Sequence, residues 1–173
     1  MKYIKKLQRP PFASAWIASG KIYSANDPGA RVAQVIGGLV ARNINNPNPK
    51  ERWENTCAVR MSYILNQAGL KIPVTPGKTV TGGDGRQYFF RVEAVIEFLQ
   101  KTWGPPDLIA PYPASGSVLG GKQGIILFSV TGWTNAKGHA TLWNGHDCYD
   151  HCYFDVPDDP RIHTTRASFW RLS

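Results

Sequence analysis

The sequence predicts an α+β fold in which a helix-rich N-terminal half packs on an antiparallel sheet. Three observations carry that expectation. Between about residues 27 and 103, apolar residues recur at helical spacing. After the Gly- and Pro-rich stretch from Gly104 to Gly124, the pattern changes to short apolar and alternating runs, as strands require. Within that second half stands Asn144-Gly145, a dipeptide favoured in two-residue hairpin turns. The chain has 173 residues, 42% of them hydrophobic, with six Trp, seven Tyr and seven Phe, which is enough to bury a sizeable core. No internal repeat or low-complexity linker divides residues 1–173, which read as a single domain.

The first helix is expected in "DPGARVAQVIGGLVARNI", where Val32, Val35, Ile36 and Leu39 fall on one face, although Gly37 and Gly38 weaken it. The best-bounded helix runs from about Cys57 to Ala68, with Asn55 or Thr56 as N-cap and Gly69 as the terminating residue. A third spans roughly Gln87 to Trp103, presents Val92, Val95, Ile96 and Leu99, and stops at Gly104-Pro105-Pro106. "VTPGKTVTGGDGRQ" reads as a flexible surface loop. Its Gly77-Lys78-Thr79 resembles the end of a phosphate-binding loop, but Ile72 stands where the first glycine of that motif is required. "GIILFSV" then reads as a buried strand, and "GHATLWNG" as an alternating one.

The formal charge of +8 favours polyanionic partners: nucleic acid, anionic lipid or cell wall. The basic residues are scattered from Lys2 to Arg171. Their one tight cluster, Lys2, Lys5, Lys6 and Arg9, runs into Pro10 and Pro11 rather than forming a stripe. No nucleic-acid fingerprint accompanies the charge, so a basic nucleic-acid-binding module is an alternative and not the expectation. "RPPFASAWIASGKIYS" lacks the apolar run of a secretory signal, and no stretch of about 18 apolar residues occurs. A soluble protein without membrane insertion is expected, either cytosolic or exported by a dedicated machine.

Cys57 begins the best-bounded helix. Unpaired N–H groups and the positive end of the helix dipole stabilise a thiolate there, and the Cys57 N–H itself is a candidate donor to an oxyanion. The partner candidate is His139, which follows Gly138 at the start of "HATLW". If Asn144 and Gly145 form a two-residue turn, Trp143 faces His146 and His139 faces Asp150, with Cβ atoms about 5 Å apart. A four-residue loop keeps that parity, whereas a three- or five-residue loop inverts it in favour of Asp147. Asp150 is therefore the expected orienting acid. A Cys at a helix start with His and an acid from strands is the papain-like arrangement. Alone, each residue also has an ordinary reading, Cys57 as core filler beside Met61 and Ile64, and His139 as a surface strand residue.

Cys148 and Cys152 bracket Asp150. A straight strand separates such a pair by about 13 Å, so a disulfide requires the chain to turn near Asp150 and His151. That turn is expected. Zinc held by Cys148, Cys152 and either His146 or His151 is the competing reading, disfavoured because the candidates crowd into one short segment.

Together "NTCAVRMSYILNQAGLKIP", "GKQGIILF" and "GHATLWNGHDCYDHCYF" resemble the fourth family of type VI secretion amidase effectors, over roughly Trp53 to Phe154. The resemblance implies an NlpC-like, papain-related cysteine peptidase fold. It implies hydrolysis of peptidoglycan stem peptides between D-glutamate and meso-diaminopimelate, with Cys57 as nucleophile, His139 as general base and Asp150 as orienter. It also implies delivery by the type VI apparatus into the periplasm of a rival Gram-negative cell, and a cognate immunity protein. Periplasmic action permits a Cys148 to Cys152 disulfide. Neither cofactor nor metal is expected, nor a nucleic-acid partner. Trp133, Gly138, Trp143 and the Gly104 to Gly124 loop are the candidate cleft walls. One departure concerns the oxyanion hole: papain-like proteases often place Gln six residues before the Cys, where this chain has Glu51. A transglutaminase-like acyl transfer by the same triad is the other alternative reaction.

Overall fold

The structure, a computed structural model, describes residues 8–111, 115–133, 137–154 and 160–173. Lys2, Lys5 and Lys6 of the basic cluster lie outside these. The elements in chain order are α1 (Phe12–Ile22), α2 (Pro28–Ile36), α3 (Gly38–Ile44), α4 (Cys57–Gln67), β1 (Thr79–Thr81), β2 (Gln87–Phe89), α5 (Val92–Trp103), β3 (Leu108–Pro111), a 3-10 turn (Gly116–Leu119), β4 (Gly124–Thr131), β5 (Gly138–Trp143) and β6 (His163–Arg171). Mixed helices and antiparallel sheet match the predicted α+β class.

Helix α4 is the centre of the molecule. Every residue from Cys57 to Asn66 is buried, so a helix with several polar residues has to satisfy them internally. Ser62 Oγ accepts from the Phe89 N–H at 2.9 Å, while Asn66 donates to the Gln87 carbonyl at 2.9 Å and accepts from the Ile72 N–H at 3.0 Å. These bonds lash β2 to α4. The helix ends as its sequence predicts: Gly69 takes φ 104°, its N–H reaches the Asn66 carbonyl, and the Leu70 N–H reaches the Leu65 carbonyl. This paired closure is the Schellman motif.

Four antiparallel strands form the main sheet in the order β3-β6-β4-β5. Period-two alternation gives it two buried faces. Ile125, Leu127, Ala140, Leu142 and Trp170 join the helices in one core cluster. Ile126, Phe128, Val130, Trp143 and Phe169 form another beneath the C-terminal loops. β5 is the edge strand and packs against the N-terminal turn of α4.

Several expectations are corrected. The first predicted helix is two helices, broken at Gly37, whose φ of 66° turns the chain; the Ile36 carbonyl then accepts from the Gly83 N–H at 2.9 Å. Val32, Ile36, Val40 and Ile44 are buried, whereas Val35 and Leu39 are exposed. The third helix starts at Val92 because residues 87–89 pair with β1, and the loop expected around Thr79 contains that hairpin. Sequence patterning named neither α1 nor β3 nor β6.

The connection after β5 also differs from the two-residue turn. Asn144 Oδ1 accepts from the His146 and Asp147 N–H groups at 2.8 and 2.7 Å, the Asn144 N–H donates to the Asp147 carbonyl, and Trp143 bridges to Cys148. The loop therefore holds four residues, 144–147. An Asn side chain that caps two backbone amides stabilises this wider turn. Face parity is unchanged, so Asp150 stays on the His139 side.

Candidate active site

The start of α4 and the edge strand β5 bring Cys57 and His139 together. Asn55 Oδ1 accepts from the Cys57 N–H at 3.0 Å, capping the helix from two residues back and fixing the approach of the chain to Cys57. On the facing strand, Leu142 directs its carbonyl away from β4 to accept from Tyr149. Ala140, two residues earlier, shares that outward direction, and its N–H serves the Cys57 sulfur.

Asp150 completes the set. Its carboxylate, with the side chain only 2% exposed, lies 3.0 Å from His139 Nε2 through Oδ2. The contact falls short of good hydrogen-bond alignment and acts chiefly as an ion pair. Nδ1 is thereby left to meet the thiol. Oδ2 also accepts from Arg60 at 2.8 Å, while Oδ1 accepts from Thr141 Oγ1 and from the His151 N–H, each at 2.6 Å. A buried carboxylate with this many donors is held ionised. The register explains the pattern: Asp150 sits across from Thr141, one pleat further along than the narrower hairpin would place it, and reaches His139 diagonally.

The charges reinforce one another. Burial pushes the Cys57 thiol up, but the hydrogen bond and charge of His139, the Ala140 amide and the positive charge of Arg60 together bring it below the ordinary thiol value. Burial likewise opposes a charged His139, yet Asp150 and Cys57 raise it to about 9. Asp150 is pulled to about 2 against its own burial, by His139, Arg60 and Thr141. A thiolate-imidazolium pair follows from these directions.

Two residues near the pair carry no motif signal. Tyr153 packs edge-on against the His139 ring with centroids 4.9 Å apart, and against Trp133 at the same separation, so it wedges the imidazole in place. Arg60 is the other, and its spacing of three residues from Cys57 on a helix was the available clue.

A cleft of about 670 Å³ opens over Cys57 and Ala58, with Trp53, Glu54, Asn55, Phe90, Trp133 and Gly138 among its lining. A smaller depression of about 370 Å³ shares Glu54, Asn55 and Trp133 with it and reaches His139. The groove thus crosses the Cys-His pair, and Trp133 and Gly138 do lie along it. Trp143 does not: it is 6% exposed and packs against Phe154 in the second core cluster, away from the lining of the cleft. Nor does the described part of Gly104 to Gly124, which supplies β3 at the opposite sheet edge and the turn beneath Trp143; residues 112–114 of that stretch lie outside the described residues. Glu51, at the position of the papain-like glutamine, lines the cleft but offers only acceptors. The Cys57 N–H, expected to face an oxyanion, is occupied by Asn55.

Cys148 and Cys152 are joined by a disulfide, with Cα atoms 5.4 Å apart, which closes the chain around Asp150. This removes the competing zinc reading, since the two thiols are consumed. Among the described residues no group of three or more His, Cys, Asp or Glu side chains is placed to hold a metal ion. No helix among them is long and apolar enough to cross a membrane.

A helix-borne cysteine facing a histidine on an antiparallel sheet, with an acid from the loop beside that strand, defines a papain-like cysteine hydrolase architecture. The family model described as type VI secretion system amidase effector protein 4, Tae4, matches residues 53–170. The chain belongs to this family. Solved structures agree with the assignment. Tae4 in the Tae4-Tai4 effector-immunity complex from Enterobacter cloacae is 38% identical, with 96% of this chain and 100% of that one covered, at a TM-score of 0.85. Tae4 from Salmonella typhimurium, bound to the immunity protein Tai4 from Enterobacter cloacae, is 38% identical over 95% of this chain and 100% of its own, with a TM-score of 0.84. Tae4 from Enterobacter cloacae without its partner gives 37%, 96% and 98% coverage, and 0.82. Comparison with curated protein sequences returned no match.

Proposed function

We propose that this chain is an antibacterial peptidoglycan amidase that cleaves the bond between the γ-carboxyl of D-glutamate and meso-diaminopimelate, using Cys57, His139 and Asp150. The carrying observation is that the cleft floor holds a cysteine paired with a buried histidine, itself 3.0 Å from a buried carboxylate. Residues 1–173 act as a single catalytic domain. A type VI apparatus delivers the enzyme to the periplasm of a target cell, and an immunity protein of the Tai4 kind neutralises it in the producer.

The chemistry proceeds in two acyl-transfer steps. The Cys57 thiolate attacks the γ-glutamyl carbonyl, forming a carbon-sulfur bond while the carbonyl electrons move to oxygen. Collapse of that tetrahedral oxyanion breaks the carbon-nitrogen bond, and the His139 Nδ1 proton passes to the departing diaminopimelate amine. Neutral His139 then removes a proton from water, which attacks the thioester and restores the thiolate-imidazolium pair as glutamate leaves with a free γ-carboxylate. Asp150 keeps the imidazole oriented and compensates its charge throughout. The Cys57 N–H stabilises the oxyanion only when it turns from Asn55 to the substrate.

Mass spectrometry of sacculus digests tests this reading. The native protein is expected to release fragments ending in D-glutamate and fragments beginning with diaminopimelate. Cys57→Ala, folded as judged by circular dichroism, is expected to release none, and cleavage retained by that variant would rule out the assigned nucleophile.

A further inference from the structure

The buried ionic set has a fourth member that the triad leaves unused. Arg60 lies one helical turn beyond Cys57 on α4, is 6% exposed, and spends its guanidinium donors on three partners. Nη2 donates to Asp150 Oδ2 at 2.8 Å, Nε to the Tyr149 hydroxyl at 3.1 Å, and Nη1 to Thr56 Oγ1 at 2.9 Å. Its planar face stacks over the Tyr23 ring, 5.2 Å from the centroid. Thr56 is the residue immediately before Cys57, and Tyr149 the one immediately before Asp150. A single side chain therefore braces both halves of the candidate triad, from the helix and from the loop after β5.

Charge balance gives this brace a chemical task. The active form carries a Cys57 thiolate and an Asp150 carboxylate against a His139 imidazolium and an Arg60 guanidinium, two negative and two positive charges in one buried group. Removing Arg60 leaves a net negative charge, and the exposed repulsion between Asp150 and the thiolate disfavours the latter. Two further titratable groups interact with this set, Tyr149 and Tyr153, and burial raises both hydroxyls above the ordinary tyrosine value; Tyr23 presents its ring to the guanidinium. We propose that Arg60 is a positioning residue of the reaction, holding Asp150 in register with His139 and supplying the fourth charge that balances the Cys57 thiolate. Arginine suits the task better than lysine because its fixed fork engages three acceptors in different directions.

The inference rests on the proposed Cys-His-Asp chemistry, and its test separates the two. The pH dependence of Cys57 alkylation by iodoacetamide is measured in native protein, Arg60→Met and Arg60→Lys, alongside kcat and KM on a soluble stem-peptide substrate. In Arg60→Met the rise of alkylation is expected to move about one pH unit higher, and kcat to fall on the order of a hundredfold, with KM changed less than about threefold. Arg60→Lys keeps the charge but not the fork, so its alkylation profile should stay near the native one while kcat remains about tenfold low. If Arg60→Met does not fold, Tyr149→Phe, which strips one acceptor and leaves the ring, takes its place with a smaller kcat loss in the same direction. Native alkylation profiles and native kcat in a folded Arg60→Met or Tyr149→Phe would overturn the proposal, as would lost kcat with an unmoved alkylation profile in Arg60→Met. Failure of the triad reading itself would appear separately, as activity in Cys57→Ala.

Discussion

At the scale of residues, the site is a coupled pair whose protonation sets when the enzyme works. Cys57 is lowered against its own burial, and His139 is raised to about 9. The thiolate-imidazolium form consequently forms below the usual thiol range and persists until pH exceeds the histidine value. The expected kcat/KM profile is a broad plateau across neutral pH. Its acid limb falls where the thiol regains its proton, and its alkaline limb falls as pH rises through about 9 and the imidazolium is lost; both limbs belong to the pair rather than to either residue. Stopped assays on a stem-peptide substrate from pH 4 to about 10.5 check this. A profile that rises through about 6.5 and then stays flat, as for an isolated histidine base, would contradict it. The candidate triad was legible because its parts carry sequence signals: a cysteine after a capping asparagine, a histidine opening an alternating strand, and an acid of matching parity. Arg60 and Tyr153 were not legible, since a buried arginine in a mixed helix and a tyrosine after a disulfide become site residues only once α4 and the loop after β5 meet.

At the scale of elements, caps and turns decide placement more than propensity does. Helix α4 was bounded correctly because both of its ends have chemistry: Asn55 holds the Cys57 amide, and Gly69 at φ 104° closes the last turn. A Cβ at Gly69 would meet nothing within 4 Å, so Gly69→Ala costs conformational strain without a clash. Its expected effect is a loss of about 1–2 kcal/mol of stability in urea denaturation. Activity per folded molecule should be unchanged because Cys57 is at the other end. The errors have equally local causes. Gly37 breaks an apolar pattern that looked continuous, and the buried stripe follows Val32, Ile36, Val40 and Ile44 while Val35 and Leu39 face outward. Asn144 wraps its own amide neighbours and widens a hairpin that Asn-Gly alone would have made narrow. The expected side of Asp150 is unaffected, because both loop lengths put it on the His139 face. Helix α1 went unseen because its buried face, Phe12, Ala15, Ala18, Ser19 and Ile22, is mostly small residues, too weak a periodic signal beside the charged N-terminus.

At the scale of the whole molecule, the fold divides the work between a rigid helix and a braced sheet edge. α4 is buried along nearly its entire length, and the edge strand β5 presents its outward-facing Ala140 amide and the His139 ring to that helix. The Cys148–Cys152 disulfide pins the loop carrying Asp150 on the same side. The α+β class was legible from the switch in periodicity after Gly104, but the sheet order β3-β6-β4-β5 was not, because it depends on a return strand, β6, whose mixed sequence has no strong alternation. Family membership and the close fit to Tae4 structures place this scaffold among amidase effectors. The most direct test of the account is rapid-quench mass spectrometry of the intact protein mixed with a stem-peptide substrate. A transient γ-glutamyl thioester is predicted, mapping to the peptide that contains Cys57 and decaying as the fragment ending in D-glutamate appears. Turnover with the acyl adduct on any other residue, or undiminished turnover by Cys57→Ala, would contradict it.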